Sequence, residues 1–227
     1  MIISEAIAES SASIHRLQIC CYLSTITMRA VIKSNLAILS QKIALLDLLV
    51  SKHGATQASA AFQKTCPIVG ASIGQHYRHS MDHVELAALV ASSAQDASMQ
   101  QQQLGDLHYD LRVRGGTLEK DLVESRKRLS DVSDVFKSLN ATIDGGNTEI
   151  TTAAPVTVYF NLAADDASEI GLPSTVEREL GFCAHHAIHH LAMVRIICLQ
   201  TVGLNEAELP EGFGRAPSTI LFDKKQG

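Results

Sequence analysis

The sequence predicts an all-α fold: a four-helix bundle with a short β or irregular ribbon before the last helix. Three observations carry that reading. Of the 227 residues, 46% are hydrophobic but only 4% aromatic, with no Trp, and Ala, Leu, Ser and Gln dominate. Such a composition favours closely packed helices over a β-sandwich. Four long segments repeat apolar residues at spacings of three and four. Connections of moderate length, marked by Gly, Pro and Asp, separate them.

Residues 29–53 form the first predicted helix. Val31, Leu36, Leu39, Ile43, Leu46 and Leu49 or Val50 make its apolar stripe, and Gly54 ends it. Residues 55–66 are small and polar, a connection with a helical turn. Pro67 opens a second helix over 67–95, with Gln100 to Gln103 at or beyond its end. The segment 105–116 is expected to be an extended loop. Thr117 caps a third helix over 118–140, where Leu118, Leu122, Leu129, Val132, Phe136 and Leu139 form the core stripe. The run Asp144-Gly145-Gly146-Asn147 is a turn. Within 148–162 the β-formers Thr151, Thr152, Val156, Thr157, Val158, Tyr159 and Phe160 predict one or two short strands interrupted by Pro155. Pro173 and Ser174 open a fourth helix over 174–202, closed by Gly203. A tail with Pro210, Gly212, Gly214 and Pro217 packs as a surface loop. Residues 1–28 form an N-terminal extension: an added helix, a leader or an upstream start. Residues 29–220 form one domain and 221–227 a C-terminal tail.

The formal net charge is −5. There is no basic stripe, so nucleic acid is not expected as a partner. The short basic run Arg126-Lys127-Arg128 lies among acids and reads as a solvated helix face. Cys20, Cys21, Cys66, Cys183 and Cys198 are odd in number and lack C-x-x-C spacing, which matches reduced thiols in the cytoplasm. No uninterrupted apolar run reaches the length of roughly eighteen residues that a bilayer span requires, so no membrane segment is expected. Glu5 and Glu9 argue against a secretory or mitochondrial leader.

The ten histidines carry the chemistry. His76, His79 and His83 are related by steps of three and four and share one stripe of the second helix. On the fourth helix His186 and His190 are one turn apart, and two imidazoles at that spacing can face one ion. His185 and His189 form a rival pair rotated by about 100°. Leu180, Cys183, Ala187, Val194 and Ile197 turn the His186/His190 stripe towards the core, whereas Phe182, Met193 and Ile196 favour the other side. With a third imidazole from a facing helix, such a pair makes a three-histidine site with room for water or substrate. Neither H-E-x-x-H nor Glu-x-x-His occurs, which removes the zincin and ferritin-like di-iron patterns.

Two motifs resemble those of the DinB-like family of metalloenzymes: Ser72-Ile73-Gly74-Gln75-His76-Tyr77-Arg78-His79-Ser80-Met81-Asp82-His83 and Ala184-His185-His186-Ala187-Ile188-His189-His190-Leu191-Ala192-Met193. The stretch Asp106 to Arg114, with Tyr109, Asp110 and Arg112, is similar to the segment after the second helix in one branch of that family. Leu209 to Gly214 and Ala216 to Thr219 also match its tail, so the resemblance spans about residues 30–220. It implies a four-helix bundle with a metal at one end of its core, held by His79, His186 and His190. Many relatives carry His-Arg-Gly-Gln where Leu191-Ala192-Met193 follow His190 here, a departure that bears on substrate and reaction more than on ligands.

The function expected is that of a metal-dependent thiol transferase or hydrolase acting on a small molecule, a low-molecular-weight thiol being the implied co-reactant. His76 or His83 is the candidate catalytic residue, as proton shuttle or as support for a ligand. The ion is expected to be Zn, with Ni or Fe as alternatives. The contrasting readings are a non-catalytic bundle with a structural or vestigial metal site, and a dimerisation module. A homodimer fits the family pattern.

Overall fold

A computed structural model describes residues 2–94, 105–111, 114–144, 154–165 and 168–226, with side chains from residue 25 onward. Helix α1 runs Ile2–Gln63, α2 Ile73–Ser93, α3 Leu122–Asp144, α4 Val176–Ile197 and α5 Pro217–Gln226. Strands β1 (Asp106–His108), β2 (Pro155–Phe160) and β3 (Ile170–Thr175) form one sheet in that order. Strand β1 pairs parallel to β2, and β2 antiparallel to β3. The chain is therefore mostly helical, with a small sheet added.

Helices α1 to α4 enclose a common core. Met28, Ile32, Leu39, Leu46 and Leu49 of α1 are fully buried. They meet Leu129 and Phe136 of α3 and Leu180, Ala187, Val194 and Ile197 of α4 in one cluster. Asn35 and Lys42 fall on the same α1 stripe at heptad spacing and are also fully buried. Asn35 Nδ2 donates to the carbonyls of Val31 and Leu180, at 2.9 and 3.0 Å. That satisfies its donors inside the core and ties α1 to α4.

Thr25–Gln63 and Val176–Val202 reach the length and mean hydropathy of a membrane span, although no single uninterrupted apolar run does. In the fold their apolar stripes face the core.

Several boundaries differ from expectation. Gly54 does kink the first helix, with φ 76° and ψ 164°, but the helix resumes to Gln63 because Ala58 and Phe62 are buried. Helix α1 also begins at Ile2, so residues 2–28 are helical and run on into the predicted first helix. The second helix starts after Ser72 and not at Pro67. Ser72 Oγ accepts from Gln75 N, and Gln75 Oε1 accepts from Ser72 N, a reciprocal cap that fixes the start. Thr117 opens a short 3-10 turn, Thr117–Glu119, and does not cap α3. Asp121 takes that role, accepting from Val123 N and Glu124 N.

The expected loop 105–116 contains β1. Pro155 begins β2 and does not interrupt it. Pro173 and Ser174 belong to β3, and Thr175 caps α4 by accepting from Arg178 N. Helix α4 passes into a π-turn, Cys198–Val202, before Gly203 at φ 82°. The tail holds α5 in place of a plain loop. The Gln run and residues 145–153, with most of the predicted turn, lie outside the described residues.

Arg126 and Lys127 do lie on a solvated face, paired with Asp47 and Asp131. Arg128 does not: its side chain is 18% exposed and bridges Asp82 and Glu85 of α2.

Candidate metal centre

Helices α2 and α4 pack with their histidine stripes facing each other. Position 79 lies between the buried residues Arg78 and Ser80. The core turns of α4 at Cys183, Ala187 and Val194 aim His186 and His190 at it, as the apolar stripe predicted. His79, His186 and His190 each offer a ring nitrogen, all within 4.8 Å of one another. His186 Nε2 is 3.1 Å from His79 Nε2 and 3.1 Å from His190 Nε2. Ligands on one ion at about 2.0–2.1 Å stand about 2.9 Å apart at a right angle and about 3.4 Å apart at the tetrahedral angle. Both spacings from His186 lie between these values, and the three imidazoles form a group that could hold a metal ion. The rival residues His185 and His189 are exposed.

The other two histidines of α2 surround the cluster. His76 Nδ1 is 2.8 Å from His190 Nδ1. His83 packs its ring on His79 and His186, with centroids 4.8 and 4.4 Å away. Phe182 stacks on His186 at an interplanar angle of 20°. Burial lowers the pKa of His190 to about 2, with the charges of His79, His186, His76 and His189 adding to it. Burial, then His189 and Lys42, lowers His76 to about 4. Both rings are thus neutral at ordinary pH, the state in which an imidazole nitrogen can donate a lone pair to a metal.

A buried polar group supports this layer from the sheet side. Tyr109, just after β1, packs 4.6 Å from His83, centroid to centroid. Its hydroxyl donates to Glu179 Oε2 at 2.9 Å and lies 3.4 Å from Cys183 Sγ. Glu179, 1% exposed, also accepts from Ser174 Oγ and Arg178 Nη1. Cys183 Sγ donates to the His83 carbonyl at 3.2 Å. Burial raises the Cys183 thiol to about 12, so it is a protonated structural thiol and not a nucleophile.

Sequence reasoning missed Lys42 and Glu179. Lys42 Nζ donates to Ser80 Oγ at 2.5 Å, and Ser80 Oγ donates to the His76 carbonyl at 2.7 Å. Burial, then the charge of Arg128, lowers Lys42 to about 7 against a partial opposing pull from Asp82. The one sequence signal was its heptad position, seven residues from both Asn35 and Leu49. Arg78 and Asp82, one turn apart on α2, form an ion pair at 2.8 Å.

No family model matches the chain, and no solved structure matches it. An FK506-binding protein 5 from Rhizopus delemar is 32% identical over 120 residues, 53% of this chain and 28% of that protein. The chain therefore spans less than a third of that relative's length.

Proposed function

We propose that this chain is a DinB-like four-helix bundle in which His79, His186 and His190 hold one divalent cation, zinc before nickel or iron. The observation that carries the reading is the 3.1 Å spacing of His186 Nε2 from both of its partners. The two histidine motifs supply the family resemblance. The activity that follows is a metal-dependent transfer to, or hydrolysis of, a small molecule, with a low-molecular-weight thiol as the co-reactant. A bound divalent ion with open positions would lower the pKa of a thiol or water towards neutrality.

The residues of the chain divide the remaining work. His190 presents Nε2 to the centre, while His76 meets its Nδ1 and orients the ring. His83 and Phe182 wall His186 and keep it from rotating. His76 is the proton-transfer candidate because it is neutral and touches the ligand set directly. His83 contacts the ligands by ring packing and fits a positioning role better. The buried free thiols Cys66, Cys183 and Cys198 suit a reducing compartment, which supports the cytoplasm as the location.

Purification from a metal-replete host, followed by elemental analysis and a thiol-dependent turnover screen with electrophilic substrates, tests this function. Bound metal with turnover that chelator abolishes is the expected result. Bound metal without turnover, and with a melting temperature that falls on chelation, supports a structural ion instead. Metal-free wild type together with undiminished metal uptake in His190→Ala removes both readings.

A further inference from the structure

A cavity lies between α2, the segment from Tyr109 to Leu118 and Arg128 of α3. Its volume is about 540 Å³, inside the range of roughly 300–1,000 Å³ typical of small-molecule sites. Leu86, Leu89, Leu111 and Leu118 form its walls, and the Tyr109 ring forms part of its lining. Leu89 is 54% and Leu111 68% exposed, so an occupant would remove substantial apolar surface from water.

The polar lining decides what the occupant can be. Arg78 pairs with Asp82 and, behind it, with Glu119 at 2.6 Å. Arg128 pairs with Asp82 at 3.1 Å and donates from Nε to Glu85 at 2.8 Å. Two guanidinium groups thus alternate with three carboxylates in one linear chain from Glu119 to Glu85. An anion would find both arginines already neutralised and a net negative surrounding. A cation would meet carboxylates already paired with guanidinium groups and would lose its own water shell against leucine walls. Thr117 at the exposed rim leaves a hydroxyl for one hydrogen bond.

We propose that this cavity binds an uncharged, largely apolar small molecule carrying one hydrogen-bonding group. No histidine lines it, although Tyr109 is shared between its wall and the packing on His83, and the proposal does not depend on the metal. The test uses the full chain stripped of metal by chelator, with leucine methyl groups followed by NMR during titration. The probes are three molecules of similar shape: phenethyl alcohol, phenethylamine and phenylacetate. The expected result is saturable shifts at Leu86, Leu89 and Leu118 with the alcohol, with each ion binding at least about tenfold more weakly, a difference of about 1.4 kcal/mol. Leu89→Glu and Leu111→Glu, both at exposed positions, should each weaken alcohol binding about tenfold or more while circular dichroism stays that of wild type. Absence of saturable shifts with the alcohol, equal or tighter binding of either ion, or unchanged alcohol binding in both variants would overturn the proposal.

Discussion

The Nδ1 atoms of His76 and His190 lie 2.8 Å apart, and one proton must be shared between them. If His190 uses Nε2 for the metal, its Nδ1 carries the proton and donates to His76 Nδ1. His76 then carries its own proton on Nε2. Support of this kind typically contributes 10–100-fold to metal affinity, as an order of magnitude. His76→Ala should therefore weaken zinc binding by about that factor in a chelator competition, with the helical circular dichroism signal retained. Unchanged affinity would mean that His76 only fills space beside His190.

Lys42 makes stability depend on alkaline pH. Its native pKa, about 7, lies below the ordinary 10.5 because burial disfavours the ammonium. Between those values the unfolded chain binds a proton that the folded chain does not, so stability rises with pH across that window. The gain is fully present above 10.5 and is lost as pH falls through about 7. Lys42→Met should raise the neutral-pH melting temperature and flatten the profile between pH 7 and 10.5. Ser80 keeps its bond to the His76 carbonyl in that variant. A profile of the same slope in Lys42→Met would assign the dependence to other groups.

Gly74 is required by close approach. A Cβ there would stand 2.1 Å from the carbonyl oxygen of Glu119 and 2.8 Å from the Phe62 ring. Gly74→Ala must separate the first turn of α2 from the 3-10 turn, and with it Arg78 from Glu119. The expected loss is about 1–3 kcal/mol in urea unfolding, the usual scale for overpacking. A neutral effect would show that the two segments part easily.

Tyr109→Phe removes one of the three donors recorded on the buried carboxylate of Glu179. Leaving a buried acceptor short costs about 1–3 kcal/mol. The melting temperature should drop, and the combined Tyr109→Phe, Glu179→Gln variant should recover part of the loss because the uncharged amide needs less compensation. A double variant as unstable as the sum of the two singles would rule out the coupling.

What was legible in the sequence follows periodicity. The α3 stripe from Leu122 to Leu139 and the α4 stripe through Leu180, Ala187 and Val194 are buried as their spacing predicts. The same stripes place His186 and His190 inside and leave His185 and His189 outside. Local signals that competed were misjudged. Ser72 and Gln75 encode the cap of α2 more strongly than Pro67 encodes a start. Pro173-Ser174 looks like a helix opening, but pairing with β2 makes both residues strand. Tertiary burial hid the rest: Lys42 and Glu179 read as surface charges until their core positions are known. The pairing of Asp82 and Glu85 on α2 with Arg128 on α3 leaves no trace in either helix alone.

The central claim is that three imidazoles from two helices share one ion. Calorimetric titration of metal-free protein with zinc, in wild type and in His186→Ala, tests it most directly, because His186 is the nitrogen 3.1 Å from both others. The account predicts one zinc per wild-type chain and a loss of at least about a hundredfold in affinity, near 2.8 kcal/mol, in the variant. Zinc binding of equal strength in both proteins, or none in wild type, would contradict it.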